Sequence, residues 1–381
     1  MRRNAAYPAL VIVVFVLIFA AKLTFADQNS AKGPVIPQLT PSPTFSDSTL
    51  PPNGDVNPYG VAFVPHGFPG GGPLHPGDII VSNFNNSGNL QGTGTTIVRV
   101  DNGTLPTVFF QGKAGLGLTT ALGVLKGGFV LVGNLPSTDS SGTCIAESGP
   151  NQNVGQGSLI VIDKNGNSVK QLTSASLLNG PWDLTIRDDG RRAKVFVSNA
   201  LSGTVTRLDL RVVGDGDGDK KDSVIVEKET QIASGYLHRC DPAAFVVGPT
   251  GLALDQERDI LYVSSTGDNA IFSITDASDR TSDVGMGKAV VTDQTHLHGP
   301  LGLALARNGD LISTQGDAVN PDPNQPSEIV EFTAGGQFVS QFSVDPAPGS
   351  AFGLALRPLE DGFVFATVDD TTVLLDIWIV K

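Results

Sequence analysis

The segment GPLGLALARNGDLISTQ, residues 299–315, returns in recognisable form five more times at intervals of about sixty residues. Each copy has Gly-Pro or a related pair, a short apolar run with Gly and Ala, a turn such as Asn-Gly, and a second apolar run that ends in Ser, Thr or Gly before a polar residue. This is the pattern of two antiparallel strands joined by a tight turn. The repeat therefore predicts a fold made of repeated β units.

The remaining apolar runs of each copy complete a four-stranded unit. In the first copy, TTIVRV and PTVFF follow the repeated pair, and the six copies start near residues 57, 117, 180, 248, 299 and 350. Six such units predict an all-β, six-bladed β-propeller of four-stranded antiparallel blades over residues 57–381. The last copy lacks its fourth strand. We expect the Pro/Ser/Thr-rich arm, residues 27–56, to supply it, because Pro is tolerated in an edge strand.

The innermost strand carries the repeated Gly and Ala residues. Blades crowd together near the axis of a propeller, so small residues there leave room for the neighbouring backbone. We expect this role for the recurring glycines Gly60, Gly251, Gly302 and Gly353.

The first 26 residues have the pattern of a secretory signal peptide. Arg2 and Arg3 precede an apolar run over residues 9–21, which ends in small residues at Ala26. A membrane anchor is the alternative, but this run is shorter than the roughly twenty residues that span a bilayer. The pattern predicts an exported protein, periplasmic or secreted, with no stable membrane span after cleavage.

The charge balance is acidic. Cleavage removes Arg2, Arg3 and Lys22 and leaves 22 basic and 38 acidic residues, a net charge of −16. An acidic chain is poorly suited to nucleic acid or to an anionic membrane surface. No nucleophile elbow, P-loop, Rossmann fingerprint or HExxH motif is present, so no nucleotide cofactor is expected.

The P-x-G-[LV]-A phrase and the strand after it resemble the NHL-repeat and senescence-marker/gluconolactonase group of propellers, which includes streptogramin lyases. The resemblance covers residues 57–380 as architecture. Enzymes of that group hold a divalent metal, or a catalytic His with a metal, at one mouth of the central channel, and their non-enzymatic relatives bind ligands or partners on a face. The gluconolactonase-like members use Glu, Asn and Asp as ligands, and here no Glu stands at an equivalent inner-strand position.

The same mouth is where we expect a site in this chain. Loops that enter inner strands and loops that leave second strands lie on one face of a propeller. The predicted ligand-binding rim consists of Tyr59, Asn83, Asn134, Trp182, Asn199, Ser265, Gln315 and Thr367. The alternative is that Asn and Ser end these strands because they form turns well.

Three histidines fall on adjacent loops of this face. His238, His296 and His298 are the candidate catalytic residues, as general base or metal ligands, with Ca²⁺ or Mg²⁺ as the expected cation. The alternative is that these histidines are simply solvated.

Two further features have two interpretations each. Asp215, Asp217 and Asp219 resemble the start of a calcium loop, but Lys220 and Val226 stand where an EF-hand has Gly and Glu, so a flexible acidic hairpin tip is equally open. The only cysteines, Cys144 and Cys240, permit one disulfide in an exported protein or remain as two free thiols.

Two functions fit these features. The first is an exported, monomeric propeller that binds a small molecule, a carbohydrate or a protein at one mouth. The second is a divalent-metal-dependent hydrolase or lyase, of the lactonase or streptogramin-lyase type, that uses the histidines. The fold alone does not choose between them.

Overall fold

The structure is a computed structural model, and it describes residues 33–100, 103, 105–145, 153–213 and 223–381. These residues form six four-stranded antiparallel sheets, which confirms the predicted six-bladed propeller. Within the described ranges, one short 3-10 helix (Ile36–Gln38) precedes the strands. None of the helices there is long and apolar enough to cross a membrane.

The strands follow the predicted repeat. Blade one has β2 (Val56–Phe63), β3 (Ile79–Asn85), β4 (Thr96–Val100) and β5 (Thr107–Gln111). Blade two has β6 (Leu118–Leu125), β7 (Phe129–Asn134), β8 (Ser158–Asp163) and β9 (Ser168–Leu172). Blade three has β10 (Pro181–Asp188), β11 (Arg192–Asn199), β12 (Thr204–Val213) and β13 (Ser223–Ser234).

Blade four has β16 (Pro249–Asp255), β17 (Ile260–Ser265), β18 (Ala270–Thr275) and β19 (Lys288–Val291). Blade five has β20 (Pro300–Leu305), β21 (Leu311–Gln315), β22 (Glu328–Phe332) and β23 (Phe338–Ser343). Blade six has β24 (Ala351–Leu359), β25 (Gly362–Asp369), β26 (Leu374–Val380) and, from the arm, β1 (Phe45–Ser48).

The N-terminal arm closes the ring, as predicted. Strand β1 pairs antiparallel with β26, with Phe45 opposite Ile377. Before β1, the arm is held by Glu331 of blade five, whose buried carboxylate accepts hydrogen bonds from the amides of Val35 and Ile36 at 2.7 Å each. The arm therefore joins blade five to blade six.

The hydrophobic core is divided among the interfaces between blades. Side chains of blades two and three form one cluster, those of blades one and two another, and the pattern continues to the interface of blades six and one. The inner strands approach one another closely. A Cβ atom at Gly353 would overlap the Tyr59 carbonyl oxygen, and one at Gly251 would overlap the Leu301 carbonyl oxygen. The predicted steric role of these glycines is confirmed at both positions.

Each inner strand also has a register shift near its start. In five blades the shift begins within two residues of a Pro or of its Ala counterpart, for example between Pro58 and Gly60 and between Ala351 and Leu354. Such a bulge re-aims the next side chain. The residue after the Pro or Ala lies at the upper mouth, the face at which inner strands begin, in four of these blades.

Candidate functional site at the upper mouth

A cavity of about 360 Å³ lies at the upper mouth of the channel. The residue that follows the Pro or Ala at the start of an inner strand contributes to its wall in four blades, as Tyr59, Trp182, Leu301 and Phe352. The predicted rim included two of these four. Leu301 and Phe352 were missed, although they occupy the same position in the repeat. Within the described ranges, the other lining residues are Asn57, Asn85, Asn89, Gln91, Ala243, Ala244, Val246, Thr266, Gly316, Asp317, Ala318, Pro348, Gly349 and Asp370.

The wall of the cavity is an aromatic cluster. The Tyr59 ring stacks on Phe352 with centroids 4.4 Å apart and on Phe84 at 4.8 Å. Trp182 meets the edge of Tyr59 at 5.7 Å. Rings that pack against one another in this way have few alternative rotamers, so the wall is rigid.

Three acceptor oxygens of cavity-lining residues are buried and have no hydrogen-bond partner in the described part of the chain. They are Asn57 Oδ1, Asn85 Oδ1 and Asp317 Oδ1. The side chains of Asn85 and Asp317 are held in place by other bonds. The Asn85 amide donates to Asn89 Oδ1 at 2.7 Å, and Asp317 Oδ2 accepts from the backbone amides of Ser327 at 2.9 Å and Gly349 at 2.8 Å. Buried polar atoms without a partner are costly, and Trp182 Nε1 of the same wall is a donor that also lacks one in the described residues. Oxygen atoms are the ligands that Ca²⁺ and Mg²⁺ prefer.

Asp370 adds a carboxyl group to the same cavity. Burial, with a smaller contribution from the charge of neighbouring Asp369, raises its pKa to about 7. Burial also raises the pKa of Tyr59 far above its usual range, and the Asp370 charge adds to this effect. At neutral pH the Tyr59 hydroxyl therefore keeps its proton, while the Asp370 carboxyl is present in both its protonated and its ionised form.

The predicted ring of second-strand residues lies beneath this cavity. Asn83, Asn134, Asn199, Ser265, Gln315 and Thr367 are each at most 3% exposed. Their four amides bond to the loop that precedes the inner strand of their own blade: Asn83 Nδ2 donates to the Thr49 carbonyl, and the other three accept backbone amides of Gly117, Asn179 and His298. These amides thus fix the loops that frame the mouth, and ligand binding by the ring stays a prediction.

The three candidate histidines are placed apart from the cavity wall. His238 is exposed, and its Nδ1 lies 3.0 Å from the Tyr236 carbonyl oxygen. His296 stacks on Phe338 of an outer strand at 3.7 Å and bonds Asp293 Oδ2 at 2.6 Å. Neither these two nor His298 lines the cavity, and no hydrogen bond links any two of the three histidines within the described residues.

His298 is buried in blade five beside two carboxylates. Its Nδ1 lies 2.6 Å from Glu328 Oε1, and one ligand atom each of His298, Asp322 and Glu328 lie within 4.8 Å of one another. Sequence reasoning missed Glu328. It was detectable, because Glu328 opens its third strand where blades one, two and three have Thr or Ser.

Cys144 and Cys240 form a disulfide, with Cα atoms 5.2 Å apart. Cys240 lies on a two-stranded hairpin that the repeat did not predict, β14 (Arg239–Asp241) and β15 (Phe245–Val247). Ala243, Ala244 and Val246 of this hairpin line the cavity. The disulfide thus ties a wall of the mouth to the long loop of blade two.

A further carboxylate, Asp183, lies in the central channel below the cavity. Its oxygens accept the backbone amides of Leu184 at 2.8 Å and Leu252 at 2.9 Å, which joins blade three to blade four. Burial raises its pKa to about 7. The proposed calcium loop, Asp215, Asp217 and Asp219, lies outside the described residues, as does the predicted signal segment.

Comparisons with known proteins agree with this architecture. A gluconolactonase from Xanthomonas campestris matches with a TM-score of 0.51 at 14% identity, over 86% of this chain and 87% of its own. A second protein, assigned as a gluconolactonase, gives 0.51 at 14% identity, over 92% and 97%. The chain has the six-bladed propeller fold of these proteins.

The predicted resemblance to the gluconolactonase-like propellers is thereby confirmed at the level of the fold. A calcium-binding protein, regucalcin, from Agrobacterium tumefaciens also matches, with a TM-score of 0.49 at 13% identity over 87% of this chain and 92% of its own. No protein-family model and no curated relative matches the sequence.

Proposed function

We propose that the upper-mouth cavity is the active site of a divalent-cation-dependent hydrolase that opens lactones or esters of small hydroxylated acids. The observation that carries the proposal is the group of three buried acceptor oxygens without a partner, on Asn57, Asn85 and Asp317. These residues would hold Ca²⁺ or Mg²⁺. When bound, such a cation polarises a carbonyl group and stabilises the charge that develops on its oxygen.

Asp370 is the general base of the proposed reaction. A base is most effective when its pKa lies near the working pH, and burial brings the pKa of Asp370 to about 7. In this role its carboxylate takes a proton from the water that attacks the carbonyl carbon. The acyl carbon–oxygen bond of the lactone or ester then breaks, and the leaving alkoxide oxygen takes that proton from Asp370. This assignment replaces His238, His296 and His298, which lie away from the cavity wall.

The aromatic wall supplies the binding surface. Phe352, which is partly exposed, presents the apolar surface on which the C–H face of a sugar-like ring packs, and the buried rings of Tyr59 and Trp182 support it. Gln91 and Asn89 offer amides to the hydroxyl groups of the ligand. The reaction class itself rests on analogy with the gluconolactonases of the same fold.

Binding without turnover is the second candidate. The cavity lining, as far as the structure describes it, contains no Glu, whereas the resemblance implies a Glu ligand. The chain would then be a binding protein for the same kind of ligand.

We also propose that the protein acts outside the cytoplasm as a monomer. The signal-like segment, and a disulfide of the kind that persists in oxidising compartments, support export.

The test is a panel of lactones and carboxylic esters, assayed after EDTA treatment and re-addition of Ca²⁺, Mg²⁺ or Mn²⁺. We expect cation-dependent hydrolysis in which Asp370→Asn lowers kcat at least 100-fold and Asp317→Asn raises the cation concentration needed. Asp361→Asn, an exposed carboxylate in a turn of the opposite face, is the matched control and should behave as wild type.

Two results would contradict the proposal. Full activity of Asp370→Asn would show that Asp370 is not the general base. If calorimetry shows that the mouth binds a cation and a sugar acid, but no substrate is hydrolysed, the protein is a binding protein and not a hydrolase.

A further inference from the structure

A second cluster of metal-ligating side chains lies in blade five, apart from the mouth cavity. His298 lies just before β20, Asp322 in the loop between β21 and β22, and Glu328 at the start of β22. One ligand atom from each lies within 4.8 Å of those of the other two. None of the three lines the cavity.

The hydrogen bonds around Glu328 leave one of its two buried carboxylate oxygens without a partner in the described residues. Glu328 is 0% exposed and His298 is 3% exposed. Glu328 Oε1 is 2.6 Å from His298 Nδ1, but Oε2 is buried and has no hydrogen-bond partner among the residues that the structure describes. Because an unpaired carboxylate oxygen in the interior is costly, a ligand that binds it is favoured.

Asp322 is positioned by its own loop. Its Oδ1 accepts the backbone amide of Asn324 at 2.8 Å and the Asn324 side-chain amide at 3.2 Å. Asp322 is partly exposed, so this corner of the cluster is open to solvent and an ion has a way in.

We propose that His298, Asp322 and Glu328 bind one zinc ion that fixes the loop between β21 and β22. One imidazole nitrogen and two carboxylate oxygens are a ligand set typical of Zn²⁺, whereas Ca²⁺ and Mg²⁺ prefer oxygen alone. Two ligand atoms about 2.0–2.2 Å from one tetrahedral ion are about 3.3–3.6 Å apart. The three ligand atoms, which lie within 4.8 Å of one another, therefore have to adjust their spacing when the ion binds.

Zinc binding would displace a proton from this cluster. The zinc ion takes the place of the proton that His298 Nδ1 and Glu328 Oε1 share, and that proton is released to solvent. The expected role is structural, because substrate in the cavity does not reach residues that are 3% and 0% exposed.

The ion would stabilise the loop that carries Asp317, a residue of the cavity wall. Asp317, which lines the cavity, begins the loop that ends at Glu328. Its backbone amide donates to the His298 carbonyl at 3.0 Å, and its carboxylate accepts the Ser327 amide at 2.9 Å. Zinc bound to His298 and Glu328 thus fixes both ends of the segment that presents Asp317.

The experiment titrates the EDTA-treated full chain with Co²⁺ and records its visible absorption, followed by competition with Zn²⁺. The titration is done in millimolar Ca²⁺, which fills the proposed oxygen-ligand site at the mouth, and under these conditions we expect one Co²⁺ per chain that equimolar Zn²⁺ displaces. Asp322→Asn and Glu328→Gln should weaken Zn²⁺ binding at least tenfold. His238→Gln, an exposed histidine of the same face, is the matched control and should bind as wild type.

The opposite results would overturn the proposal. These are the absence of stoichiometric Co²⁺ binding by the wild type, wild-type Zn²⁺ affinity in Asp322→Asn, or loss of binding in His238→Gln. Asp322 is partly exposed and in a loop, so its variant tests the site even if Glu328→Gln does not fold, and circular dichroism verifies that it is folded. Lactone hydrolysis is not the readout, so the outcome is independent of the proposed activity.

Discussion

Removal of the disulfide between Cys144 and Cys240 should destabilise the propeller measurably. The two residues are 96 positions apart in sequence. In the chain-entropy treatment, a closed loop of this length stabilises the folded state by about 4.7 kcal/mol at 25 °C, and measured values for natural disulfides begin near 2 kcal/mol. With about 2.1 cal/mol/K of unfolding entropy per residue over roughly 340 residues, we expect the melting temperature to fall by about 3–7 °C.

The measurement is scanning calorimetry of three samples: the oxidised wild type, the same protein reduced with dithiothreitol, and the Cys144→Ser/Cys240→Ser variant. The reduced wild type is the control for the substitution itself, because Cys144 is 6% exposed and packs in the cluster under the upper face. Equal melting temperatures for all three samples would refute the reasoning, as would alkylation of two thiols in the folded protein without prior reduction.

Three further predictions concern the fold. Glu331→Ala leaves two buried amides of the N-terminal arm unpaired, so we expect a loss of about 2–5 kcal/mol in denaturant unfolding, and hydrogen exchange that leaves the arm amides protected would contradict this. Gly353→Ala forces backbone apart and should cost about 1–3 kcal/mol, whereas Gly70→Ala, with open space around it, should cost little. Because the folded pKa of Asp183, about 7, lies above its ordinary value, protonation contributes stability that is complete below about pH 4 and is lost as the pH rises through 7. Melting temperatures from pH 4 to 8 should therefore decline more steeply in the wild type than in Asp183→Asn, and parallel curves would exclude the effect.

The repeat was sufficient to predict the fold because the strand pattern of each copy depends on residues that are close together in sequence. Alternating apolar residues, Asn-Gly turns and small inner-strand residues are properties of neighbours in sequence, and six copies make the closed ring the only arrangement in which every blade buries both faces. The missing fourth strand of blade six pointed to the arm by the same logic. Glu331, which holds that arm, was not found, because its partners are almost 300 positions away.

The sequence predicted the face on which the cavity lies and part of its lining. Sequence order placed the loops of one face together, and the predicted rim residues Tyr59 and Trp182 line the cavity, while ligand binding by the rim stays a prediction. The polar residues nearest the strand ends, such as Asn199, were instead buried as clamps for the preceding loop. Asp370 follows the predicted rim residue Thr367 by three positions, and burial in the folded chain, with a smaller contribution from the charge of Asp369, raises its pKa to about 7.

The sequence alone thus determined the propeller, its closure by the arm and the face that carries a cavity, since these follow from a periodic pattern of side-chain size and polarity. The tertiary structure decided which polar groups lack partners. Whether Asn57, Asp317 or Glu328 has an unpaired oxygen depends on which backbone amides reach it from other blades and loops. Desolvation depends in the same way on the whole neighbourhood of a group, so neither property can be read from the repeat.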